Sequence, residues 1–232
     1  MHALRRLFCT ATLLGMSSLA ALLASPSAHA SSAAPKDGVE YKTLPSPQPT
    51  DAGPRKVEVI EFFAYYCPHC YAFEPLLAEW VRKQGDAIVF KRVHVPRDAG
   101  VLPQQRLFYT LESLGLLEQY HAKAFAAMHV ERLRLASDEQ VFDWAARAGI
   151  DRARFIDTYR SFGVQAKLRR AATLMQDYGV THWPMLAVDG RFLTSPGMVA
   201  EGAEGNQSET QLFQGTLQVM DQLVAKAKAG KQ

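Results

Sequence analysis

Two cysteines, Cys67 and Cys70, lie between a predicted strand and a predicted helix. Residues 57–63 form an apolar-rich run typical of a buried strand, and residues 71–83 carry apolar side chains at helical spacing. Residues 87–95 predict another strand. A strand, a helix and a strand in that order favour a parallel pair with a crossover helix. The cysteines are therefore expected at the start of the helix of a βαβ unit.

The rest of the chain divides into a helical block and a second strand-rich segment. Helical spacing of apolar residues predicts helices within 103–130, with a break at Gly115, and over 138–147, 151–159 and 164–178. Asp189 and Gly190 separate two apolar runs and favour a tight hairpin turn, and residues 208–229 predict a final helix. We therefore expect an α/β fold: a sheet domain of residues 55–96 and 171–232, with a helical domain, residues 97–170, inserted into it.

Prolines mark two further features. Pro75 lies inside the first predicted helix, where it predicts a kink or a break because proline lacks the N–H of a helical hydrogen bond. Residues 31–54 are rich in proline, serine and alanine and predict a largely extended N-terminal arm.

The first 30 residues have the three parts of a secretory signal peptide. Arg5 and Arg6 precede an uncharged, mostly apolar run, residues 7–24, and a small-residue Ala-His-Ala sequence ends at Ala30. A membrane anchor is the alternative, because such a run just spans a bilayer. Serine, threonine and glycine dilute the run, so we expect cleavage after Ala30. Cleavage would remove Cys9 and leave 202 residues in an oxidising compartment, the periplasm.

Composition narrows the possible functions. The net charge of +3 falls to +1 without the two leader arginines, which is too small to indicate nucleic-acid binding. Hydrophobic residues make up 48% and charged residues 21% of the chain, as in a globular domain rather than a disordered one. The two remaining cysteines are too few for a disulfide-stapled scaffold. We therefore expect the cysteine pair to take part in a reaction rather than to stabilise the fold.

A cysteine at a helix N-terminus is favoured as a thiolate, because unpaired N–H groups and the helix dipole stabilise a negative sulfur. We expect a lowered pKa for Cys67, which favours the reduced pair and makes its disulfide oxidising. Pro68 suits the first helical turn, and His69 can donate a hydrogen bond or place positive charge near the sulfur. Cys70, one turn further along, is expected to be more buried and to act as the resolving thiol.

Three other interpretations of the pair are weaker. An inert disulfide across so short a loop would stabilise the fold little. A zinc site would need two further ligands, for which His94 and His182 are the candidates. Haem attachment would need a histidine directly after Cys70, where the chain has Tyr71. A pair that exchanges disulfides is therefore favoured.

The segment from Glu61 to Glu74, EFFAYYCPHCYAFE, resembles the active-site segment of the DsbA family of periplasmic thiol:disulfide oxidoreductases. The resemblance extends over nearly the whole mature chain. It implies a thioredoxin-like fold with an inserted α-helical domain, and a monomer that needs no metal or organic cofactor. It also implies unfolded exported proteins with reduced cysteines as substrates, and a DsbB-like, quinone-linked membrane oxidase as the partner that restores the disulfide.

The resemblance implies roles for individual residues. Cys67 is the exposed sulfur that a client thiolate attacks, and Cys70 resolves the mixed disulfide. Pro184 matches a cis-proline that faces the active site, whereas the sequence alone favours the commoner trans proline, here at the start of an edge strand. Glu61 matches an acidic residue beneath the active site, and both a proton-handling role and an outward-facing side chain remain open. Glu74 is expected to be a solvated helix residue.

One departure from the family pattern lies just before this proline. The family usually has a small or β-branched residue there, whereas this chain has Trp183, preceded by His182. The backbone at this point is expected to pair with an extended client segment. We hypothesise that Trp183 and His182 alter client choice. The alternative is that Trp183 simply packs into the core.

The sequence therefore predicts a periplasmic dithiol oxidase that donates the Cys67–Cys70 disulfide through a mixed disulfide at Cys67. Within the same class, a reductase or isomerase is the alternative, although residues 31–54 are too short for the dimerisation domain that such proteins often carry. Outside it, the alternatives are a non-catalytic metal-binding or chaperone-like module of the same fold, and a glutathione-conjugating enzyme, which does not need Cys70.

Overall fold

The structure, a computed structural model, describes residues 34–231. The expected signal peptide, its cleavage site and Cys9 lie outside the described residues. Within this range the strands are β1 (Tyr41–Thr43), β2 (Val57–Phe63), β3 (Ile88–His94), β4 (Met185–Val188) and β5 (Phe192–Thr194). The α-helices are α1 (Pro68–Gln84), α2 (Leu102–Ser113), α3 (Leu117–His129), α4 (Asp138–Arg147), α5 (Arg152–Tyr159), α6 (Phe162–Asp177), α7 (Pro196–Gly202) and α8 (Glu209–Ala229).

β2 is the central element of a mixed sheet. The described strands follow the order β1-β5-β4-β2-β3. β2 pairs in parallel with β3, with α1 as the crossover helix, which confirms the predicted βαβ unit. β4 pairs antiparallel with both β2 and β5. All seven residues of β2 are buried, because helices cover both faces of the sheet.

Side chains of β2 alternate between the two faces and so join two hydrophobic cores. Val57 and Val59 belong to a core shared with α1 and α8, which also contains Phe73, Leu77, Trp80, Phe213, Met220 and Leu223. Ile60 and Phe62 belong to a larger core shared with the inserted helices, which also contains Phe63, Leu107, Phe108, Phe125, Phe142 and Phe155. One continuous set of apolar contacts thus fixes the helical block against the sheet beneath the cysteines.

α1 places both cysteines at its N-terminus. Cys67 is the N-cap residue and Pro68 occupies the first turn, where its missing N–H costs no helical hydrogen bond. The helix continues unbroken to Gln84, so the break predicted at Pro75 does not occur. Pro75 is exposed, and the turns on either side of it are held in the core by Phe73 and Leu77.

The N-terminal arm adds an edge strand to the sheet. β1 pairs antiparallel with β5, so this segment is not only an extended tether. Further along the arm, the Gln48 N–H donates to the Gly190 carbonyl at 2.7 Å. A Cβ on Gly190 would lie 2.1 Å from the Gln48 oxygen, and Asp189 and Gly190 have φ of +55° and +64°. The Asp-Gly hairpin turn therefore has the predicted geometry and leaves room only for glycine.

Three helices complete the arrangement around the sheet. α6 runs unbroken through residue 170, where the sequence places the junction between the helical block and the sheet domain. α8 begins with a capping box between Ser208 and Gln211. α7 is not predicted from the sequence, because none of its seven residues is buried. Among residues 34–231, no helix is both long and apolar enough to cross a membrane.

Candidate active site

The Cys67 sulfur lies over the first turn of α1. It accepts the Cys70 N–H at 3.4 Å and donates its own hydrogen to the Trp183 carbonyl at 3.6 Å. The hydrogen bond to the Cys70 thiol, supported by the N–H groups of Cys70 and His69 and by the charge of His69, lowers the pKa of Cys67 to about 6. The direction is the one expected at a helix N-terminus.

Both cysteines are thiols in this structure, and both are buried. Cys67 is 5% exposed and Cys70 fully buried, so the expected order of burial holds. The expectation of an openly exposed Cys67 sulfur is wrong, because the helix turn and the Trp183 backbone cover it. Burial raises the pKa of Cys70 well above its ordinary value. The pair therefore consists of one easily ionised and one strongly protonated thiol.

His69 contacts the start of α8 through its ring. Its Nδ1 lies 2.5 Å from a carboxylate oxygen of Glu209, the first residue of α8. This hydrogen bond is the main cause of the raised pKa of His69. His69 therefore acts on Cys67 through its backbone N–H and its charge, whereas the expected ring hydrogen bond to sulfur is not formed.

The loop before β4 brings a proline to the active site. The Trp183–Pro184 peptide bond is cis, as the family resemblance implies, and Pro184 is buried. Trp183 is half-buried, and its ring meets Tyr66 edge-on at 6.2 Å between centroids. His182 is exposed, with its Nε2 3.0 Å from the hydroxyl of Ser195. Trp183 thus has one side against the protein and another open to a ligand.

Glu61 lies fully buried on β2, so the outward-facing alternative is excluded. It is directly opposite Arg92 on β3, whose Nε donates to Glu61 Oε2 at 3.0 Å. Glu61 Oε1 has no hydrogen-bond partner among the described residues. Burial, only partly offset by Arg92, raises the pKa of Glu61 to about 8. A carboxyl group that holds its proton near neutral pH therefore lies on the central strand, in electrostatic contact with both cysteines.

Glu74 differs from its expected role as a solvated residue. Its carboxylate accepts two hydrogen bonds from Arg92, at 2.7 and 2.9 Å, and one oxygen lies 3.4 Å from His121 Nε2. Hydrogen bonds from these partners outweigh burial and lower the pKa of Glu74. The turn of α1 that follows the cysteines directs Glu74 inward. Arg92 therefore joins the two carboxylates beneath the active site.

Several residues around the site are not predicted from the sequence. Arg92 pairs with Glu61 only once the register of β2 and β3 is known, and Glu209 lies 140 residues from His69. The Tyr65 hydroxyl bonds to His121 Nδ1 at 3.0 Å, and the Tyr65 carbonyl lies 2.7 Å from His129 Nε2. The two histidines of α3, His121 and His129, lie eight residues apart, close to two helical turns, and are the one local signal that could have indicated this cluster.

The two histidines considered as zinc ligands have other partners. His94 is fully buried and accepts the Tyr65 N–H at 3.0 Å, while His182 faces Ser195. Within residues 34–231, no group of three or more His, Cys, Asp or Glu side chains is placed to hold a metal ion. The donors that the zinc interpretation requires are therefore not brought together with Cys67 and Cys70.

A groove adjoins the cysteines. Its volume is about 480 Å³, and most of its lining is apolar. The lining residues come from the first turn of α1 (the cysteine loop), the loop before β4 (the proline loop, residues 182–184), α7, α8 and the segment between α7 and α8. They are His69, His182, Trp183, Pro184, Pro196, Gly197, Ala200, Gln207, Glu209, Leu212 and Phe213. Such a groove fits an extended peptide.

The sheet order, the dithiol at the start of α1 and the adjacent cis-proline define a thioredoxin-fold dithiol protein. The sequence model of the DSBA-like thioredoxin domain family matches residues 92–212. The thiol:disulfide interchange protein DsbA of Burkholderia cepacia is 40% identical over 209 residues, which cover 90% of this chain and 93% of that protein. DsbA of Bordetella parapertussis is 37% identical over 209 residues, covering 90% and 94%. The crystal structure of Pseudomonas aeruginosa DsbA superposes with a TM-score of 0.74 at 34% identity, covering 83% of this chain and 94% of that one.

The chain belongs to the DsbA-like thioredoxin domain family, and it is a thiol:disulfide oxidoreductase. The predicted fold, a thioredoxin-like domain with inserted helices, is confirmed. The alternatives of a metal-binding or chaperone-like module and of a glutathione-conjugating enzyme are not favoured by these relatives.

Proposed function

We propose that this protein is a periplasmic oxidase that donates the Cys67–Cys70 disulfide to newly exported proteins. The observation that carries the proposal is the contrast between the two thiols. The pKa of Cys67 is lowered to about 6 at the start of α1, whereas burial raises that of Cys70. A stabilised Cys67 thiolate favours the reduced pair, and a disulfide that favours its reduced form is a strong oxidant.

The reaction proceeds through two exchanges. A client thiolate attacks Cys67 Sγ, the Cys67–Cys70 bond breaks, and Cys70 leaves as a thiolate that takes up a proton. A second client thiolate then attacks the client sulfur of the mixed disulfide, and Cys67 leaves as a thiolate. Two electrons pass from the client dithiol to the protein, and the client gains one disulfide. The low pKa of Cys67 makes it a good leaving group in the second step.

We propose Glu61 as the proton donor for Cys70. The leaving Cys70 sulfur is fully buried, where an uncompensated charge is costly. Glu61 holds a proton near neutral pH and has an oxygen free of partners among the described residues. Donation leaves a carboxylate that Arg92 stabilises through the 3.0 Å contact to Oε2.

We propose that the proline loop and the groove bind the client. The Trp183 carbonyl, which faces Cys67 Sγ, is placed to pair with the backbone of an extended client segment. Pro184 and His182 shape the groove wall, and the open side of the Trp183 ring stacks on apolar client side chains. Backbone pairing and an apolar groove together favour unfolded segments over any fixed sequence.

Location, domain division and partner complete the proposal. We propose export to the periplasm with cleavage after Ala30, an arm over residues 31–54 and an inserted helical domain over residues 97–170. A DsbB-like membrane oxidase passes the two electrons to quinone and restores the disulfide. The supporting observations are the leader pattern and the DsbA names of the relatives. Amino-terminal sequencing of the periplasmic protein tests the cleavage site.

Oxidation of a reduced, unfolded ribonuclease by catalytic amounts of the mature protein, with glutathione disulfide as the terminal oxidant, tests the function. We expect disulfides to form in the ribonuclease, no turnover with Cys67→Ser, and a trapped mixed disulfide with Cys70→Ser. A titration in glutathione buffers measures the reduction potential of the Cys67–Cys70 pair, and this potential gives the direction of the exchange. A potential more oxidising than glutathione supports the proposal, whereas one near about −270 mV, as in thioredoxin, would indicate a reductase.

A further inference from the structure

A second pocket opens beside the cysteine loop, and it is rich in arginine. Its volume is about 520 Å³, and it shares no lining residue with the groove at Pro184. Arg97, Arg132 and Arg134 line it, together with Tyr66, the residue before Cys67. Asp98 is the acidic residue in the lining. The pocket therefore carries excess positive charge close to the reacting sulfur.

The arginines of the loop between α3 and α4 are held outward and unpaired. Arg132 and Arg134 are exposed, and within residues 34–231 neither guanidinium takes part in an ion pair. Arg97, in contrast, pairs with Asp98 and lies over the Tyr66 ring at 4.3 Å. Two free guanidinium groups beside the active site are suited to bind carboxylates.

The backbone that presents these arginines is fixed. Arg132 has φ of +61° and the buried Leu135 has φ of +47°, a region that residues other than glycine seldom adopt. The Leu133 N–H donates to the Ala127 carbonyl at 2.9 Å, and the Gln104 amide donates to the Arg134 carbonyl at 3.1 Å. Because hydrogen bonds already fix the backbone of this loop, binding a ligand costs little further conformational entropy of the backbone.

The unpaired side-chain oxygen of Gln104 favours a peptide over a simple anion as the ligand of this pocket. Gln104 is 4% exposed and lines the pocket, and its Oε1 has no hydrogen-bond partner among the described residues. A buried acceptor requires a donor, which a peptide N–H supplies and a phosphate or carboxylate alone does not. The pocket wall therefore contains an unpaired buried acceptor, and the exposed arginines of the lining supply cations for acidic side chains.

We infer that this pocket binds an acidic segment of the client that flanks the reacting cysteine. The inference rests on the proposed oxidase function and names a client class for it. Tyr66 lines the pocket and directly precedes Cys67, so acidic residues close in sequence to the client cysteine can reach the pocket past Tyr66. Attraction between the arginines of this pocket and an acidic client mainly raises the rate at which the client associates with the protein.

Paired peptides test the inference. Two peptides share one sequence around a single cysteine and carry either glutamate or glutamine at the flanking positions. The rate of mixed-disulfide formation with the oxidised mature protein is divided by the rate of the same peptide with hydroxyethyl disulfide. This division removes the effect of flanking carboxylates on the peptide thiol pKa. We expect the glutamate peptide to react about three- to tenfold faster, with the advantage falling as salt rises.

Arginine variants locate the effect. In the double variant Arg132→Gln/Arg134→Gln the ratio of the two rates should fall towards one, and in Arg132→Glu/Arg134→Glu it should invert. Arg169→Gln/Arg170→Gln is the matched control, because these exposed arginines of α6 line neither pocket and its net charge equals that of the first double variant. The control should keep the wild-type ratio.

Three outcomes would overturn the inference. The first is equal normalised rates for the two peptides with the wild type, and the second is a ratio that the Arg132/Arg134 variants leave intact. In the third, the protein sediments with vesicles of anionic lipid but discriminates no peptide, which would assign the pocket to a membrane surface. Failure of the proposed function is measured separately, by the ribonuclease assay and the glutathione-buffered titration, and neither depends on the residues that flank the peptide cysteine.

Discussion

The lowered pKa of Cys67 makes the stability of the reduced protein depend on pH in a predictable way. The thiol ionises at about 6 in the folded protein, against an ordinary value of 9.0. Because the folded pKa is depressed, the resulting stabilisation is complete above pH 9 and is lost as pH falls towards 6. In the oxidised protein both sulfurs are in the disulfide and do not titrate. The difference in stability between the two forms therefore reports mainly on the thiols and on the groups that their charge reaches, such as Glu61.

The size of this effect follows from the two pKa values. Linkage gives the reduced form about 0.4 kcal/mol of stabilisation from Cys67 at pH 6 and about 2.7 kcal/mol at pH 8. Cys70 contributes little here, because its pKa is raised in the fold and its unfolded thiol is mostly protonated below pH 8. We expect the reduced form to gain about 2 kcal/mol on the oxidised form between pH 6 and pH 8.

Urea unfolding of both forms at pH 6, 7 and 8 measures this gain, with a phosphine reductant for the reduced samples. Reduced Cys67→Ser is the matched control: since serine does not ionise, the pH dependence of its stability should match that of the oxidised wild type. A thiolate absorbance titration of the native protein gives the pKa independently. A difference that stays constant from pH 6 to pH 8, or a thiolate that forms only near pH 9, would refute the argument from helix position and hydrogen bonding.

Three further perturbations test other parts of the site. The pKa of Glu61 is raised from 4.5 to about 8, so this residue contributes to the pH slope a loss of stability on the order of 3 kcal/mol as pH rises from 4.5 to 7. Glu61→Gln should flatten this slope in urea unfolding, and an unchanged slope would show that Glu61 is ionised throughout. Trp183→Val should slow oxidation of peptides with an aromatic residue beside the cysteine about two- to tenfold relative to aliphatic ones, because stacking is lost. If the wild type and Trp183→Val show the same ratio of aromatic to aliphatic oxidation rates, Trp183 only packs against the protein and does not contact the client. Glu209→Gln removes the main cause of the raised pKa of His69, so an NMR titration should show the imidazole titrating at lower pH, and no change would contradict the 2.5 Å contact.

The elements that the sequence predicts correctly are those with local signals. Alternation and helical spacing locate β2, α1 and β3, and the Asp189-Gly190 pair locates the hairpin turn, because each depends on neighbours within a few residues. The position of Cys67 at the start of α1 is likewise local. Its lowered pKa comes from partners within three residues, namely the Cys70 thiol, the N–H groups of Cys70 and His69, and the charge of His69.

Features that depend on distant partners are the ones the sequence does not predict. Glu61 is buried and paired because β3 places Arg92 opposite it. Glu74 turns inward because it contacts the same arginine and His121. The covered state of Cys67 depends on Trp183, 116 residues away. Periodicity within one segment contains no information on such pairings, so solvent exposure of charged residues is the default expectation there.

The pairing of β2 with β4 sets an order of events during synthesis. The cysteines lie on one side of the inserted helices, while β4 and Pro184 lie on the other, more than 100 residues later in the chain. Contacts of such sequence separation form late, after the intervening helices. A growing chain therefore exposes Cys67 and Cys70 as ordinary thiols, without the proline loop or the buried carboxyl beneath them. In this respect each new copy is first a possible client of mature copies, and becomes an oxidase only when its last strands close the sheet.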